Sequence, residues 1–452
     1  MPTIITDSAA EDAVPTHDPS VAELIAARPS LRMHALDGLM FEGVRLDAIA
    51  QDLGTPCWVM GAGTVRARLR RLREAAAEAA LPLGIHYAVK ANDHLAVLSL
   101  LRAEGVGADV VSGGELARST AVGFDPRQVV FSGVGKTPDE LRAALGAGIG
   151  QINVESAEEL DQLSALATTM GRAARVALRI NPDVDAGTHA KITTGLADNK
   201  FGIAYADAPA LFRRAASLPG IEPVGFAVHI GSQITEASPF RSAYRRMADL
   251  VRSVRADGLP VSVLDCGGGL GISYRDGPEG SPRTWFAAIR QELGDLDLRL
   301  MIEPGRWLVG PAGLLLASVL LVKRTAGAPF LVLDAAMNDL LRPSLYEAWH
   351  GIVPLSPRAA LASRQPTNIV GPVCETGDSF ATDRLLPPLA PGMRVAILDA
   401  GAYGAVMSST YNARPLAAQA MLDGERWQTI RERQPVPALW AGETVPSWCA
   451  AP

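Results

Sequence analysis

From His86 to Arg306 the chain repeats one pattern: a short apolar run, a glycine or polar turn, then a stretch with helical period. The runs begin near Ile85, Ala108, Gln128, Gln151, Arg175, Gly225, Val261 and Leu298. Amphipathic segments such as LAVLSLLRAEG, PDELRAALGAGI and SAEELDQLSALATTM lie between them. Apolar runs alternating with helices imply parallel strands, and eight such units predict an α/β fold, a (β/α)8 barrel of the TIM type over residues 60–309. A doubly wound open sheet would give a similar alternation; the count of eight favours the barrel. After Val309 the texture changes to short β-type runs (SVLLVKR, PFLVLDA, TNIVGPVC, MRVAILDAG) punctuated by Pro and Gly. Residues 310–452 therefore read as a mostly antiparallel β domain. Segment 32–59, with LMFEGVRLDAIAQDLGTPCWVM at its heart, reads as strand, short helix and strand. Pairing of that last strand with the later β domain would make the domain discontinuous.

A length of 452 residues and 48% hydrophobic content allow two or three domains with a large core. The net charge of −6 has both signs interspersed, which argues against a nucleic-acid or polyanion surface. The histidines are scattered without metal-ligand spacing, so no metal is expected. Cys57, Cys266, Cys374 and Cys449 show no paired framework, which suits a reducing compartment. The acidic, polar opening MPTIITDSAAEDAVPTHDPS lacks the features of a signal or transit peptide, and residues 1–31 read as a flexible tail. The longest apolar run, Ala312–Val322, is too short to span a bilayer. A cytoplasmic protein without membrane contact is expected.

The chemically unusual residues fall at one end of these strands. Lys90 closes the first run in HYAVKAN, and Asp109 and Ser112 sit in the second. Arg179 and Asn181 end the fifth, His229 and Ser232 the sixth, Gly267 to Gly271 the seventh, Glu303 to Arg306 the eighth. Barrel enzymes build their sites at the C-terminal ends of their strands, so these groups define one site. A lysine held there among apolar groups is desolvated, which lowers its pKa and frees a nucleophilic amine; the alternative is a strand cap facing solvent. The GGGLG stretch either brings backbone N–H groups against a phosphate or forms a tight turn. Beside Lys90 the first reading gains a partner, because an aldehyde with a phosphate handle is pyridoxal 5'-phosphate.

Glu303 suits the pyridine nitrogen of that cofactor, whose protonation makes the ring an electron sink; otherwise it pairs with Arg306 at the surface. His229 in HIGSQ either stacks on the ring or serves the fold, and Ser232 offers a hydroxyl to the phosphate. Arg306 and Arg342 suit a substrate carboxylate, which a guanidinium binds in bidentate fashion. In CETGD, Cys374 is either a proton donor to a carbanion or an inert buried thiol, and its neighbouring carboxylates suit a substrate ammonium.

Together these residues resemble a family: the barrel-fold, pyridoxal-phosphate-dependent diaminopimelate decarboxylases. From about Met40 to Leu422 the motifs HYAVKAN, GADVVSGGEL, FSGVGKT, INVES, RINPDVDAGTHAKITTG, NKFGI, HIGSQ, GGGLGISY, EPGR, MNDLLRPSLYEAWH, GPVCETGD and AGAYGAVMSSTYNARP are similar to it, in order. The resemblance implies that Lys90 bonds the cofactor aldehyde, His229 stacks on the ring and Glu303 pairs with the pyridine nitrogen. Ser232, Gly268, Gly269 and the EPGR turn with Gly305 and Arg306 would hold the phosphate, with Tyr403 contacting it. Arg306, Arg342, Tyr346, Glu375 and Tyr403 would contact an amino-acid substrate, and Cys374 would protonate Cα after carbon dioxide leaves. The CETGD stretch would reach into a neighbouring subunit, implying a homodimer with shared active sites. The implied reaction is decarboxylation of meso-2,6-diaminopimelate to L-lysine, the last step of lysine biosynthesis. Two departures, Thr376 where serine is frequent and Trp307 where a smaller residue is usual, are expected to adjust substrate fit. Basic amino-acid decarboxylases commonly set an aspartate against the distal amine, and racemases favour an arginine at the pyridine nitrogen. Glu375 with HIGSQ argues against the first and Glu303 against the second.

Overall fold

The structure, a computed structural model, describes residues 18–185 and 200–449. Residues 1–17, and the AGTHAKITTG end of one family-like motif, lie outside the described residues. Eight parallel strands close into a barrel: β1 (Leu83–Ala88), β2 (Gly107–Val110), β3 (Val129–Phe131), β4 (Gln151–Val154), β5 (Ala174–Asn181), β6 (Ile221–Val228), β7 (Val263–Asp265) and β8 (Arg299–Ile302). Ile302 lies opposite Ile85 and Ile152 opposite Val176, so the ring is complete and the open-sheet alternative falls away.

The helices around it follow from local sequence. In the helix Pro138–Ala147, Thr137 and Glu140 form a reciprocal capping box, Pro138 occupies the first turn, and Gly148 stops the helix at φ +68°. Leu141, Ala144 and Leu145 then share the face turned to the strands. Replacing Thr137 by alanine would cost about 1 kcal/mol, the usual worth of such a cap. The helix Ser238–Ala256 buries Phe240, Tyr244, Met247, Val251 and Val254 at helical spacing. It packs on the helix Pro282–Leu293, where Trp285 donates its indole N–H to the Tyr244 hydroxyl at 2.7 Å.

Inside the barrel, Val130, Val224, Val263 and Met301 form a small apolar cluster. Two residues further along β3, β7 and β8 the same face presents Ser132, Asp265 and Glu303, because strand side chains repeat every second residue. The floor of the site is therefore apolar and its walls polar.

The second domain is a mixed sheet with mostly antiparallel pairs. Strand Gly313–Lys323 runs antiparallel to Phe330–Leu333, Arg394–Ile397 and the pre-barrel strand Cys57–Gly61. Cys57–Gly61 pairs parallel with Ala418–Asp423 on its other side, so the β domain is discontinuous as expected. Residues 18–31, expected within the loose tail, are instead folded. Ser20 caps the helix Val21–Ala26, and the Arg28 guanidinium donates to Asp399 at 2.8 Å with both side chains buried. That pair forms only across the docked segment, which fixes it to the β domain. Among the described residues no helix is long and apolar enough to cross a membrane.

Candidate active site

Strand β1 ends at Ala88, and the single turn Val89–Ala91 lifts Lys90 over the barrel mouth. Its Nζ donates to Asp109 Oδ2 at 2.9 Å. Asp109 is fully buried at the end of β2, and among the described residues its Oδ1 has no hydrogen-bond partner. A cavity of about 250 Å³ opens here, lined by Lys90, His229, Glu303, Ser132, Asn153 and Arg179 among others. Burial opposes the Lys90 ammonium, yet Asp109, then Glu303 and Tyr403, more than offset it and hold the pKa above the ordinary lysine range. The expectation of a depressed lysine is thus corrected: neighbouring acids outweigh desolvation, and the half-buried ammonium is held in its ion pair with Asp109 rather than standing as a free amine.

Glu303 is 8% exposed, and its backbone N–H donates to Gly267 O at 2.8 Å. Burial, reinforced by Asp109 and Asp265, holds its carboxyl well above the usual carboxylate range. The alternative surface pair with Arg306 is not formed, since both residues are buried and Arg306 bonds elsewhere. Burial, then Arg179 and Lys90, push His229 well below its ordinary value, so the imidazole is neutral. Its Nδ1 accepts the Gly268 N–H at 3.2 Å, which ties β6 to the glycine turn after β7. Arg179 is itself neutralised by Glu155 at 2.7 Å.

The glycine turn is a backbone cradle. A Cβ on Gly268 would lie 2.1 Å from Glu303 O, and one on Gly269 would lie 2.3 Å from Gly231 O. Gly267 and Gly269 also take φ values of +68° and +104°, which side chains disfavour. Gly305 packs against the Lys90 turn, where its Cβ would sit 3.1 Å from Ala88 and Ala91. Arg306 donates to Ser232 Oγ at 3.0 and 3.3 Å and to the Tyr274 hydroxyl at 2.6 Å. Its guanidinium stands 4.8 Å from the Tyr403 ring centre. Tyr403 holds φ +54° while its N–H donates to Ala91 O at 2.8 Å, so the second domain is pinned to the lysine turn. Arg342 lies over Tyr274 and Tyr346 and donates to His350 Nε2 at 3.3 Å. Burial, then Arg342, push His350 down to about 3, which keeps it a neutral acceptor.

Cys374 and Glu375 stand apart: both are exposed, and neither is among the residues lining the Lys90 cavity. The reading of Cys374 as a buried thiol is thereby excluded. Asp378 of the same stretch is spent on the loop, accepting the N–H groups of Met337 and Val373 at 2.7 Å each. Trp307 packs away from the cavity, under Arg68 at 3.7 Å with its indole N–H on Gly280 O, so its effect on substrate fit is not direct. Ser132, Asn153, Asp265 and Tyr274 were not singled out from the sequence. An acid within an apolar run, as in SVLDC, was the available signal for Asp265.

A nucleophile-bearing chain, a facing carboxyl, a neutral imidazole and a cradle that a Cβ would fill suit pyridoxal phosphate. Residues 62–310 match the family described as pyridoxal-dependent decarboxylase, pyridoxal binding domain. Fold and site thus define a barrel-type, pyridoxal-phosphate-dependent amino-acid decarboxylase. A diaminopimelate decarboxylase of Pseudomonas aeruginosa is 47% identical over 407 residues, spanning 90% of this chain and 97% of its own length. The structure of diaminopimelate decarboxylase from M. jannaschii in co-complex with L-lysine superposes with a TM-score of 0.88 at 34% identity, covering 94% of this chain and all of that one. A lysine/ornithine decarboxylase of Vibrio vulnificus shares the fold at 24% identity and a TM-score of 0.74, over 84% of this chain and 97% of its own. The chain belongs to the diaminopimelate decarboxylase family.

Proposed function

We propose that the enzyme decarboxylates meso-2,6-diaminopimelate to L-lysine and carbon dioxide, the last step of lysine biosynthesis, as a cytoplasmic homodimer. The convergence of Lys90, Glu303 and neutral His229 on one cavity, in a chain 47% identical to a diaminopimelate decarboxylase, carries this reading. Barrel residues 60–309 would hold the cofactor, segment 32–59 joins the β domain, and residues 310–452 of that domain would supply substrate and dimer contacts. Pyridoxal phosphate, when bound, supplies the sink for the electrons of the broken carbon–carboxylate bond. Lys90 would hold its aldehyde, and Asp109 pairs with the lysine ammonium when the side chain is unbound. Glu303 would hold the ring nitrogen, and His229, uncharged, would meet the ring without opposing a positive charge there.

Gly268, Gly269, Ser232, Gly305, Arg306 and Tyr403 would hold the phosphate, for which the cradle and the buried guanidinium are suited. Arg342, Tyr346 and Glu375, with Arg306 and Tyr403, bind and orient the diamino acid. Cys374 delivers a proton to Cα. Its exposure in the single chain supports a shared site, in which Cys374 and Glu375 serve the cavity of a second copy. The test is a product assay with pyridoxal phosphate on meso- and L,L-diaminopimelate, ornithine, lysine and arginine in parallel. Lysine from the meso isomer alone is expected; turnover of ornithine or arginine instead would overturn the substrate assignment.

A further inference from the structure

One buried acid has no part in the chemistry above. Asp265 ends β7, is 1% exposed, and lies in the polar layer with Glu303. Its Oδ1 accepts the Gly267 N–H at 3.0 Å, and its Oδ2 accepts the Asn153 amide at 3.2 Å. Asn153 is itself braced: its Oδ1 accepts from Gln151 Nε2 at 2.8 Å, and its Nδ2 also reaches Ser132 Oγ at 3.0 Å. Ser132 in turn donates to Glu303 Oε1 at 3.4 Å. Asp265 and Glu303 are thus neighbours in one buried layer, joined through Asn153 and Ser132 and through Gly267, whose N–H meets Asp265 and whose carbonyl accepts the Glu303 N–H. An ionised carboxylate is an acceptor only, so a hydrogen bond between two carboxyls needs a proton on one of them. Two neighbouring carboxylates in one buried layer do not both ionise at neutral pH.

We propose that Asp265 is a positioning residue for Glu303: the two carboxyls share one proton, and the Gly267 N–H and Asn153 amide fix the arrangement. The inference rests on the reading of Glu303 as the partner of the ring nitrogen. Shared in this way, Glu303 donates to an unprotonated nitrogen and accepts from a protonated one, which a lone carboxylate cannot do. The other charged groups that bear on the pair are Asp109 from β2 and Lys90 after β1, themselves ion-paired at 2.9 Å. With Lys90 balancing Asp109, the pair carries one negative charge. Burial above all raises both acids, which agrees with a retained proton.

Infrared spectroscopy of the full-length protein, stripped of pyridoxal phosphate at neutral pH, tests this through the C=O stretch of a protonated carboxyl. The proposal expects one such band to be lost in both Asp265→Asn and Glu303→Gln. A Glu303 band that survives in Asp265→Asn overturns it, as does the lack of any band lost from Glu303→Gln. Where a variant fails to fold, carbon-13 carboxyl labelling of the wild-type protein decides. A shared proton makes the same band respond to aspartate and to glutamate labelling, and bands that each respond to one label overturn the proposal. The readout uses no cofactor, so it stands whether or not the product assay yields lysine.

Discussion

Lys90 and Asp109 offer the sharpest quantitative test. At 2.9 Å the charge pair is worth about 6 kcal/mol at an effective dielectric of about 20 and about 1.4 kcal/mol at about 80. The Lys90 side chain is 35% exposed, so solvent screening discounts the higher figure. A net of about 1.5–3 kcal/mol remains, equivalent to about one to two pH units at about 1.4 kcal/mol each. Asp109→Asn keeps the shape of the side chain and removes the charge. Burial then dominates, and the Lys90 titration moves down by that amount. The assay is stopped-flow absorbance of pyridoxal phosphate capture by cofactor-free protein across pH, because only the neutral amine attacks the aldehyde. The rise in capture rate with pH should level off about one to two units earlier in the variant. Superimposable profiles would refute the assignment of Asp109 as the group that holds the ammonium.

The sign of the pH dependence follows from the same pair. The folded Lys90 pKa lies above its ordinary 10.5, so the stability it contributes is fully present below 10.5 and is lost as pH rises through the folded value. Asp109→Asn should flatten that alkaline decline in a denaturant titration.

Other expectations follow from single contacts. Gly268→Ala would set a Cβ 2.1 Å from Glu303 O, and overpacking of backbone on backbone should cost about 1–3 kcal/mol, with weaker cofactor binding by equilibrium dialysis. An unchanged cofactor affinity would remove the glycine turn from the site. Arg28→Ala leaves Asp399 buried without its partner, and urea unfolding should show a loss of about 3–5 kcal/mol. A loss below about 1 kcal/mol, the worth of a surface pair, would mean that the N-terminal helix is not docked through this contact. Cys374→Ala should bind cofactor normally yet turn over about 10²–10⁴-fold more slowly. Mixing it with Lys90→Ala should restore activity, since a hybrid dimer then has one site with both groups; no recovery on subunit exchange would argue against shared sites.

The barrel was legible because each of its strands leaves a local signature. The run near Gln151 starts where β4 does, and those near Ala108 and Arg175 fall within one residue of β2 and β5. The run near Gly225 was placed late, because Glu222 and Pro223 break the apolar pattern; there β6 starts at Ile221 and shifts register between Pro223 and Gly225. Lys90, His229 and Glu303 were legible because each interrupts an apolar run at its end. Arg28 and Asp399 were not: they lie 371 positions apart, and no period links them. The direction of the Lys90 titration was missed for a related reason. Burial can be read from neighbouring residues in sequence, but the acids that reverse its effect come from β2 and β8.

Barrel interiors are usually filled with branched apolar side chains. Here one such layer survives, from Val130, Val224, Val263 and Met301, and the acids and amides above it replace what would otherwise be core. Burying them is costly unless each finds a partner. Most do: Asn153 reaches Gln151, Ser132 and Asp265, and Asp265 takes the Gly267 N–H. The partners come from β3, β4 and β7, so the polar layer also fixes how those strands meet. Among the described residues one oxygen of Asp109 remains without a bond, beside the lysine that, on the proposed reading, exchanges partners during turnover. On the proposed reading the incompletely satisfied group sits where the chemistry requires a change of bonding, while Glu303, which would keep its place, is held by Ser132 and through it by Asn153 and Asp265. Rigidity and readiness are assigned to different acids of one layer, and that division follows from which strand end each occupies.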